Sequence, residues 1–374
     1  MYTPALKIVS ITVVFMAMQT DSFAVQQSLI IPLSIESESN PTLSLTDEKS
    51  VTRTSLTPRY SILSNDVTNP WFANLNVRVI RSSDQTIIQD RDDPSIDIGW
   101  THNFATGQFA VTGLSSVQST RVSEFTDSGL VSGDNTRNTR SGSINWSNSL
   151  NDRSSLSLGS DVTSVTFDGL VTTGLVNFRN EAVNVRLNST ISEKLNAFAS
   201  VSSSRFLPEN NGGNEATTNA FNLGFTWNVS EQFNLNTSAG LNETKYKDNT
   251  LPEEKSWQGN IAMQYSTARS TSQLNLLRRQ SPSSSGSLNE TNQITLGWAY
   301  SLSEKESILL DANWRQNLTI NKTKTSQFSA KYTRQISLSW DFSLSVEHRL
   351  QESVLGDASN NSIMTSIDYK LPDF

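Results

Sequence analysis

Two histidines and several groups of carboxylates are the residues from which this sequence could build a reactive site. His102 and His348 are its only imidazoles. A nucleophile, its base and the group that orients the base must lie within mutual hydrogen-bond reach. The two histidines are far apart in the chain, and neither stands in a pattern with Ser and Asp. His102 has the alternate-residue parity of Ile96, Ile98 and Trp100, and His348 that of Leu344, Val346 and Leu350. Both are therefore expected on an apolar face, near its rim, and no catalytic residue is assigned. The chain has no cysteine, which excludes disulfides, thiolate metal sites and cysteine nucleophiles.

The carboxylates gather at Asp84, Asp90, Asp92 and Asp93, at Asp127 and Asp134, at Glu209 and Glu215, and at Asp248, Glu253 and Glu254. Such groups could take a divalent cation or bridge to lipopolysaccharide. None has the ordered ligand spacing of a calcium loop, and the plainer reading is a set of solvated loops that resist aggregation. No metal and no cofactor is expected. The net charge is −7, the sequence pI is near 5.0 and no Lys/Arg cluster occurs, so nucleic acid is not an expected partner.

The elements that would carry these residues follow from hydropathy. Hydrophobic residues make up 35% of the 374 and the mean hydropathy is −0.39. No segment beyond the N-terminus approaches the roughly 20 apolar residues of a membrane helix. A membrane-spanning strand needs only every second residue to be apolar. Residues 1–24 read as a signal peptide: Lys7 supplies the charge, Ile8 to Met18 the short apolar core, and Ser22-Phe23-Ala24 a cleavage site after Ala24. Residues 25–51 read as a flexible periplasmic segment, despite the brief apolar run Leu29-Ile30-Ile31.

Across 52–374 the pattern is period two. Phe221, Leu223, Phe225 and Trp227 share one face, and Asn222, Gly224, Thr226 and Asn228 the other. Similar stripes run through Phe233–Leu241, Trp257–Tyr265, Ile294–Tyr300, Phe342–Leu350 and Ile363–Leu371. Short turns are expected near residues 105–107, 151–153, 192–194, 230–232, 268–270, 303–305 and 341, and long connections at 126–136, 168–179, 207–216, 247–254, 281–289, 317–323 and 354–360. Alternating short and long connections predict an all-β fold, a transmembrane antiparallel up-and-down β-barrel with periplasmic turns and extracellular loops. About 16 strands can be placed, with roughly 14 to 18 allowed. All eight tryptophans lie on the apolar stripes, where an interfacial ring belongs.

The opposite face is rich in Ser, Asn, Thr and Gly and implies a wet lumen. Its charged residues are Arg186, Asp311, Arg315, Lys331, Glu347, Arg349, Asp368 and Lys370. In a water-filled lumen they would set ion selectivity; in a narrow one they would pair internally. Arg278 and Arg334 fall on the apolar parity, where an arginine at the bilayer midplane costs about 2–4 kcal/mol. Snorkelling near an interface would remove that cost.

Two loop motifs add a resemblance. Asp127-Ser128-Gly129-Leu130-Val131 leads to Trp146 and Arg153-Ser154-Ser155-Leu156-Ser157-Leu158-Gly159, and later comes Arg279-Gln280-Ser281-Pro282-Ser283-Ser284-Ser285-Gly286-Ser287-Leu288-Asn289-Glu290-Thr291. With the strand pattern over about residues 50–370, these resemble a group of proteobacterial outer-membrane β-barrel proteins, some associated with exopolysaccharide and exosortase (PEP-CTERM) systems. The resemblance implies a barrel in the outer membrane and carries over no site residue. The terminal Phe374 is similar to the signal read by the barrel-assembly machinery, although Pro372 intervenes and Phe374 is out of phase with Ile367, Tyr369 and Leu371. The expected partners are outer-membrane lipid, lipopolysaccharide, that machinery and a polysaccharide. The expected function is a porin-like pore or envelope component serving exopolysaccharide export. The alternatives are a closed barrel that binds a polymer or partner through its loops, and an outer-membrane hydrolase.

Overall fold

The computed structural model describes residues 25–127, 134–168, 174–209, 213–248, 252–318 and 322–371. Nineteen β segments and one helix occur among them. They are β1 Val25–Glu38, β2 Val51–Leu56, β3 Arg59–Ser64, β4 Trp71–Ser82, β5 Arg91–Phe104, β6 Gly107–Ser119, α1 Thr120–Asp127, β7 Thr136–Asn151, β8 Ser154–Phe167, β9 Phe178–Ser192 and β10 Leu195–Pro208. There follow β11 Ala216–Asn228, β12 Phe233–Tyr246, β13 Glu254–Ser266, β14 Ser270–Pro282, β15 Leu288–Ser303, β16 Glu306–Asn317, β17 Lys324–Gln335, β18 Trp340–Ser353 and β19 Gly356–Leu371.

Every pairing is antiparallel, and β1 closes the ring on β19 from Leu29↔Leu371 to Glu38↔Ser362. Closure leaves no free sheet edge, as a lipid-embedded sheet requires. β2 and β3 share one position between β1 and β4. Leu33 faces Leu56 and Leu29 faces Tyr60 without a change of register. They are one stave interrupted at Thr57-Pro58, because Pro58 has no N–H to give the ladder. The nineteen segments therefore form an eighteen-stave barrel.

Eighteen replaces the sixteen expected from sequence, and the extra staves come from the N-terminal region. Residues 25–38, expected within a flexible segment, form β1. Its outward residues Leu29, Ile31, Leu33 and Ile35 alternate with Ser34, Glu36 and Glu38. These polar side chains look like tail composition until Glu36 and Glu38 are seen to pair with Arg53 of β2, each at 2.6 Å. Two connections also differ. The turn expected near 341 lies at 336–339, and the long loop expected at 354–360 is reduced to Val354-Leu355 before Gly356, whose φ of +133° suits only glycine. The other short turns sit where the spacing placed them.

Register fixes the two faces. The outward set is apolar, with exposed Leu75, Ile98, Val183, Leu223, Leu296, Phe328 and Ile363. Six tryptophans, Trp71, Trp100, Trp146, Trp227, Trp298 and Trp340, lie toward the short-turn ends of their strands, and Trp257 and Trp314 toward the loop ends. The turn end thus carries an aromatic girdle, and the loop end two isolated tryptophans. Arg334 pairs with Glu306 at the turn end, 3.7 Å away. Arg278 lies over the Trp257 ring at 4.5 Å and meets Glu290 at 3.0 Å. Neither arginine is bare. Among the described residues, no helix is long and apolar enough to cross a membrane.

Candidate functional site: a crossbar inside the barrel

Two connections at the loop end turn into the lumen, and they contain the two motifs singled out above. The first is α1, an element the all-β expectation lacked. Its Phe125 packs with Leu43 of the β1–β2 loop and Ala358 of β19. Arg121 is 2% exposed and donates to Glu38 of β1 at 2.9 Å and to the Pro41 carbonyl at 3.4 Å. On the far side, Arg315 of β16 donates to the Asp127 carbonyl, and the Arg349 guanidinium of β18 lies 5.6 Å from the centre of the Phe125 ring. A helix that touches β1, β16, β18 and β19 as well as its own β6 and β7 must lie inside the ring. Residues 128–131 of the first motif fall outside the described residues.

The second is the tip of the β14–β15 hairpin. Gln280 accepts from Thr244 on the inner face of β12 at 2.8 Å, so β14 bends inward above Arg278. Leu288 is buried in a cluster with Val165, Phe167, Phe178, Phe206 and Ala216 from the inner faces of β8 to β11. The tip crosses closely over the β10–β11 loop: a Cβ on Gly213 would stand 1.9 Å from the Gly286 oxygen. The two inserts meet where Ser284 donates to the Glu124 carboxylate, which Arg137 of β7 also approaches at 3.4 Å.

The crossbar is held by charge as well as packing. Glu38 takes Arg121, Arg53 and the Asn360 side-chain amide together. Burial first, and repulsion from Arg53 second, push the Arg121 guanidinium down to about 10, against the pull of Glu38. A cavity of about 230 Å³ lies beside α1, lined by Arg53, Arg78, Arg91 and Arg121 with Asp93 and Asp134. Arg91 pairs with both of these carboxylates, at 2.7 and 3.3 Å.

Burial shows where the lumen is narrow. Glu38, Asn40, Arg53, Arg121, Glu124, Thr244, Thr291, Arg315, Asn317 and Asn360 are buried, and all stand at the loop end. Lower on the same inner face, Asn184, Ser200, Asn222, Ser238 and Asn260 are only half-buried. Side chains fill the loop end of the barrel; below it the wall of β9 to β13 is open, while Ser343 and Ser366 on β18 and β19 are buried.

By strand register the eight charged residues fall on the side opposite the apolar belt, and they form no single ladder. Arg315 and Arg349 brace α1, and Glu347 pairs with Arg349 at 2.5 Å. Arg186 lies on the opposite wall, 3.7 Å over the Phe198 ring. Lys370 pairs with Asp341 and Asp368 accepts from Ser366 toward the turn end. Asp311 and Lys331 lie on β16 and β17 between these levels. Sequence reasoning missed Glu38, Arg53, Arg78, Arg121 and Glu124. The available signal was the matching parity of Glu36, Glu38 and Arg53.

The histidines are on the outward face. His102 contacts Asn69 and His348 contacts Asn361, each at 2.8 Å, and neither meets an acid or a serine. The loop carboxylates are held by their own surroundings. Asp90 and Asp84 accept backbone N–H groups, Asp92 pairs with Arg81, and Glu215 is held below the usual carboxylate range by hydrogen bonds from Arg205 and Lys247. Among the described residues, no group of three or more His, Asp or Glu could hold a metal ion.

A closed antiparallel barrel of this size, with an apolar belt outside, a polar wall inside and loops folded inward, has the architecture of outer-membrane channel proteins. The barrel is similar to OpdK of Pseudomonas aeruginosa, crystallised with vanillate (TM-score 0.54, 8% identity, covering 94% of this chain and 100% of that one). It is also similar to OccAB4 of Acinetobacter baumannii (0.53, 10%, 95% and 99%) and to OpdO of P. aeruginosa (0.52, 10%, 93% and 97%). At these identities the likeness is one of fold. No protein family matches the sequence, and no curated protein does. The exopolysaccharide association implied by the two motifs has no counterpart among these structures.

Proposed function

We propose that the chain is a non-enzymatic outer-membrane channel for small polar solutes, narrowed at its loop end by the crossbar. One observation carries this reading: side-chain burial is concentrated at the loop end, while the inner wall of β9 to β13 below it stays half-exposed and polar. A barrel of 16 to 18 strands is wide enough for an aqueous channel, and inserts set its bore. Outer-membrane localisation draws support from the outward apolar belt, the tryptophan girdle at the turn end and the likeness of fold. Export through a signal peptide cleaved after Ala24 and assembly through a terminal strand ending in Phe374 belong to the same reading; residues 1–24 and 372–374 lie outside the described residues.

The solute class follows from the cavity beside α1. Arg53 and Arg121 share Glu38, and Arg91 is matched by Asp93 and Asp134, which leaves Arg78 as the guanidinium of that cavity best placed to meet a guest. A small carboxylate suits that charge, and the similar OpdK barrel was crystallised with one, vanillate. The crossbar argues against passage of a bulky polymer, so polysaccharide export is the less favoured version. Liposome swelling tests the proposal. Vesicles holding the folded protein should swell faster in a small monocarboxylate than in a neutral solute of equal size, and Arg78→Gln should remove the difference. Equal rates with both solutes would refute the carboxylate preference, and no swelling with any solute would favour a closed, structural barrel.

A further inference from the structure

We propose that the outer rim of β10 to β14 is a binding site for a bisphosphorylated lipid A headgroup and its acyl chains. The inference rests on the outer-membrane reading, with the loop end facing outward. Val201, Phe221, Leu241 and Trp257 form one cross-strand row on the outward face. They line a single groove, and Leu241 is 70% exposed, more than any other large apolar side chain of this row. The next two residues outward along each strand are charged or polar. Glu243 and Lys255 face each other one pleat repeat above Leu241 and Trp257, and Arg205 and Lys245 lie one repeat higher.

The surface thus changes from apolar to charged within about 7 Å, two residues of strand rise. That is the profile of a lipid whose phosphates sit directly above its chains. Lys255 and Lys245 both share Glu243, and Lys245 also meets Glu253 at 3.0 Å. Arg205 and Lys247 share Glu215. Arg205 and Lys247 outnumber the one carboxylate they share, and Lys255, 75% exposed, keeps ammonium donors open to solvent beside its single partner Glu243. Arg278, seated over Trp257 and paired with Glu290, closes the arc on β14, so that five cations stand along it with four carboxylates.

Width selects the headgroup. From Arg205 on β10 to Arg278 on β14 is four strand spacings, about 19 Å. A phospholipid brings one phosphate to such an arc. A bisphosphorylated disaccharide brings two well-separated phosphates and several chains, and so fits both the arc and the broad groove beneath it.

Native mass spectrometry of the full-length protein released from detergent tests the site. The probes are hexa-acylated bisphosphorylated lipid A, the same lipid with both phosphates removed, and phosphatidylethanolamine. Lipid A adducts should exceed those of the other two lipids. The double variant Lys245→Ala, Lys255→Ala should reduce them about tenfold, and Leu241→Ser should reduce them through the groove. Heat-modifiable migration and unchanged liposome swelling would show that the variants remain folded channels. Equal adducts with phosphatidylethanolamine, or an unaffected double variant, would overturn the site and leave the channel reading standing. Loss of swelling in the unmodified protein would strike the channel reading instead.

Discussion

Replacing Arg121 with alanine should release α1 from the barrel wall. Arg121 makes the ion pair with Glu38 and the contact with the Pro41 carbonyl, both out of water. Breaking a buried ion pair by removing one partner costs about 3–5 kcal/mol. Glu38 keeps Arg53 and Asn360, so the lower figure applies, and about 3 kcal/mol shifts a docking equilibrium by roughly 100-fold. The cysteine-free chain offers a clean assay. Ser123 is buried on α1, so a Ser123→Cys thiol should react slowly with a water-soluble maleimide and roughly 100-fold faster once Arg121→Ala is added. A Ser200→Cys control, half-buried on the inner wall, should label equally in both backgrounds. Arg121→Lys should fall between them.

The pH response has a definite sign. With its pKa lowered to about 10, Arg121 stays charged across neutral pH, so docking should be flat from about pH 6 to about 9. Above pH 10 the docked state holds fewer protons than the released one. This group alone then favours docking as pH rises toward the arginine's ordinary value. An Arg121→Ala barrel that still migrates as a folded, heat-modifiable species but labels at the unmodified rate would refute the ion-pair argument.

Three further outcomes follow from the same geometry. Leu288→Ala should loosen the inward hairpin by about 2–5 kcal/mol, because Leu288 is its anchor in the phenylalanine cluster; faster maleimide labelling of Ser284→Cys would report it. Leu223→Arg, on the outward face, should destabilise the barrel in vesicles by about 2–4 kcal/mol, whereas Ser202→Arg on the inner face should cost far less, as read by urea unfolding followed on gels. Deleting residues 25–38 should abolish the heat-modifiable form, since β19 and the β2–β3 stave would be left with open edges; a truncated chain that still resists SDS at room temperature would contradict the closure by β1.

The strands were legible because a lipid-facing wall demands strict alternation, and Phe221 to Trp227 shows it without interruption. β1 was hidden because its inner face carries Gln26, Ser28, Glu36 and Glu38, with Pro32 between them. Only the pairing with Arg53, fifteen residues beyond Glu38, turns those polar residues into a wall. The helix was hidden for a different reason. Eight residues with Val122 and Phe125 give too little periodicity to read, and Ser119, whose hydroxyl accepts the Arg121 N–H at 3.2 Å, is a weak start signal in a serine-rich chain. The crossbar is tertiary by nature. Glu124 and Ser284 are 160 positions apart, and nothing local in either segment announces the other. The motif Arg279 to Thr291 stood out as a pattern, yet its inward bend depends on Gln280 finding Thr244 and Leu288 finding Phe206.

In the proposed channel the crossbar narrows an aqueous path without sealing it. Single-channel recording in planar bilayers tests it most directly. Discrete ion-conducting steps are expected from the folded, full-length protein, and larger steps from the Arg121→Ala variant, whose helix leaves the wall. Silent bilayers from both proteins, with each shown by heat-modifiable migration to be folded, would contradict it.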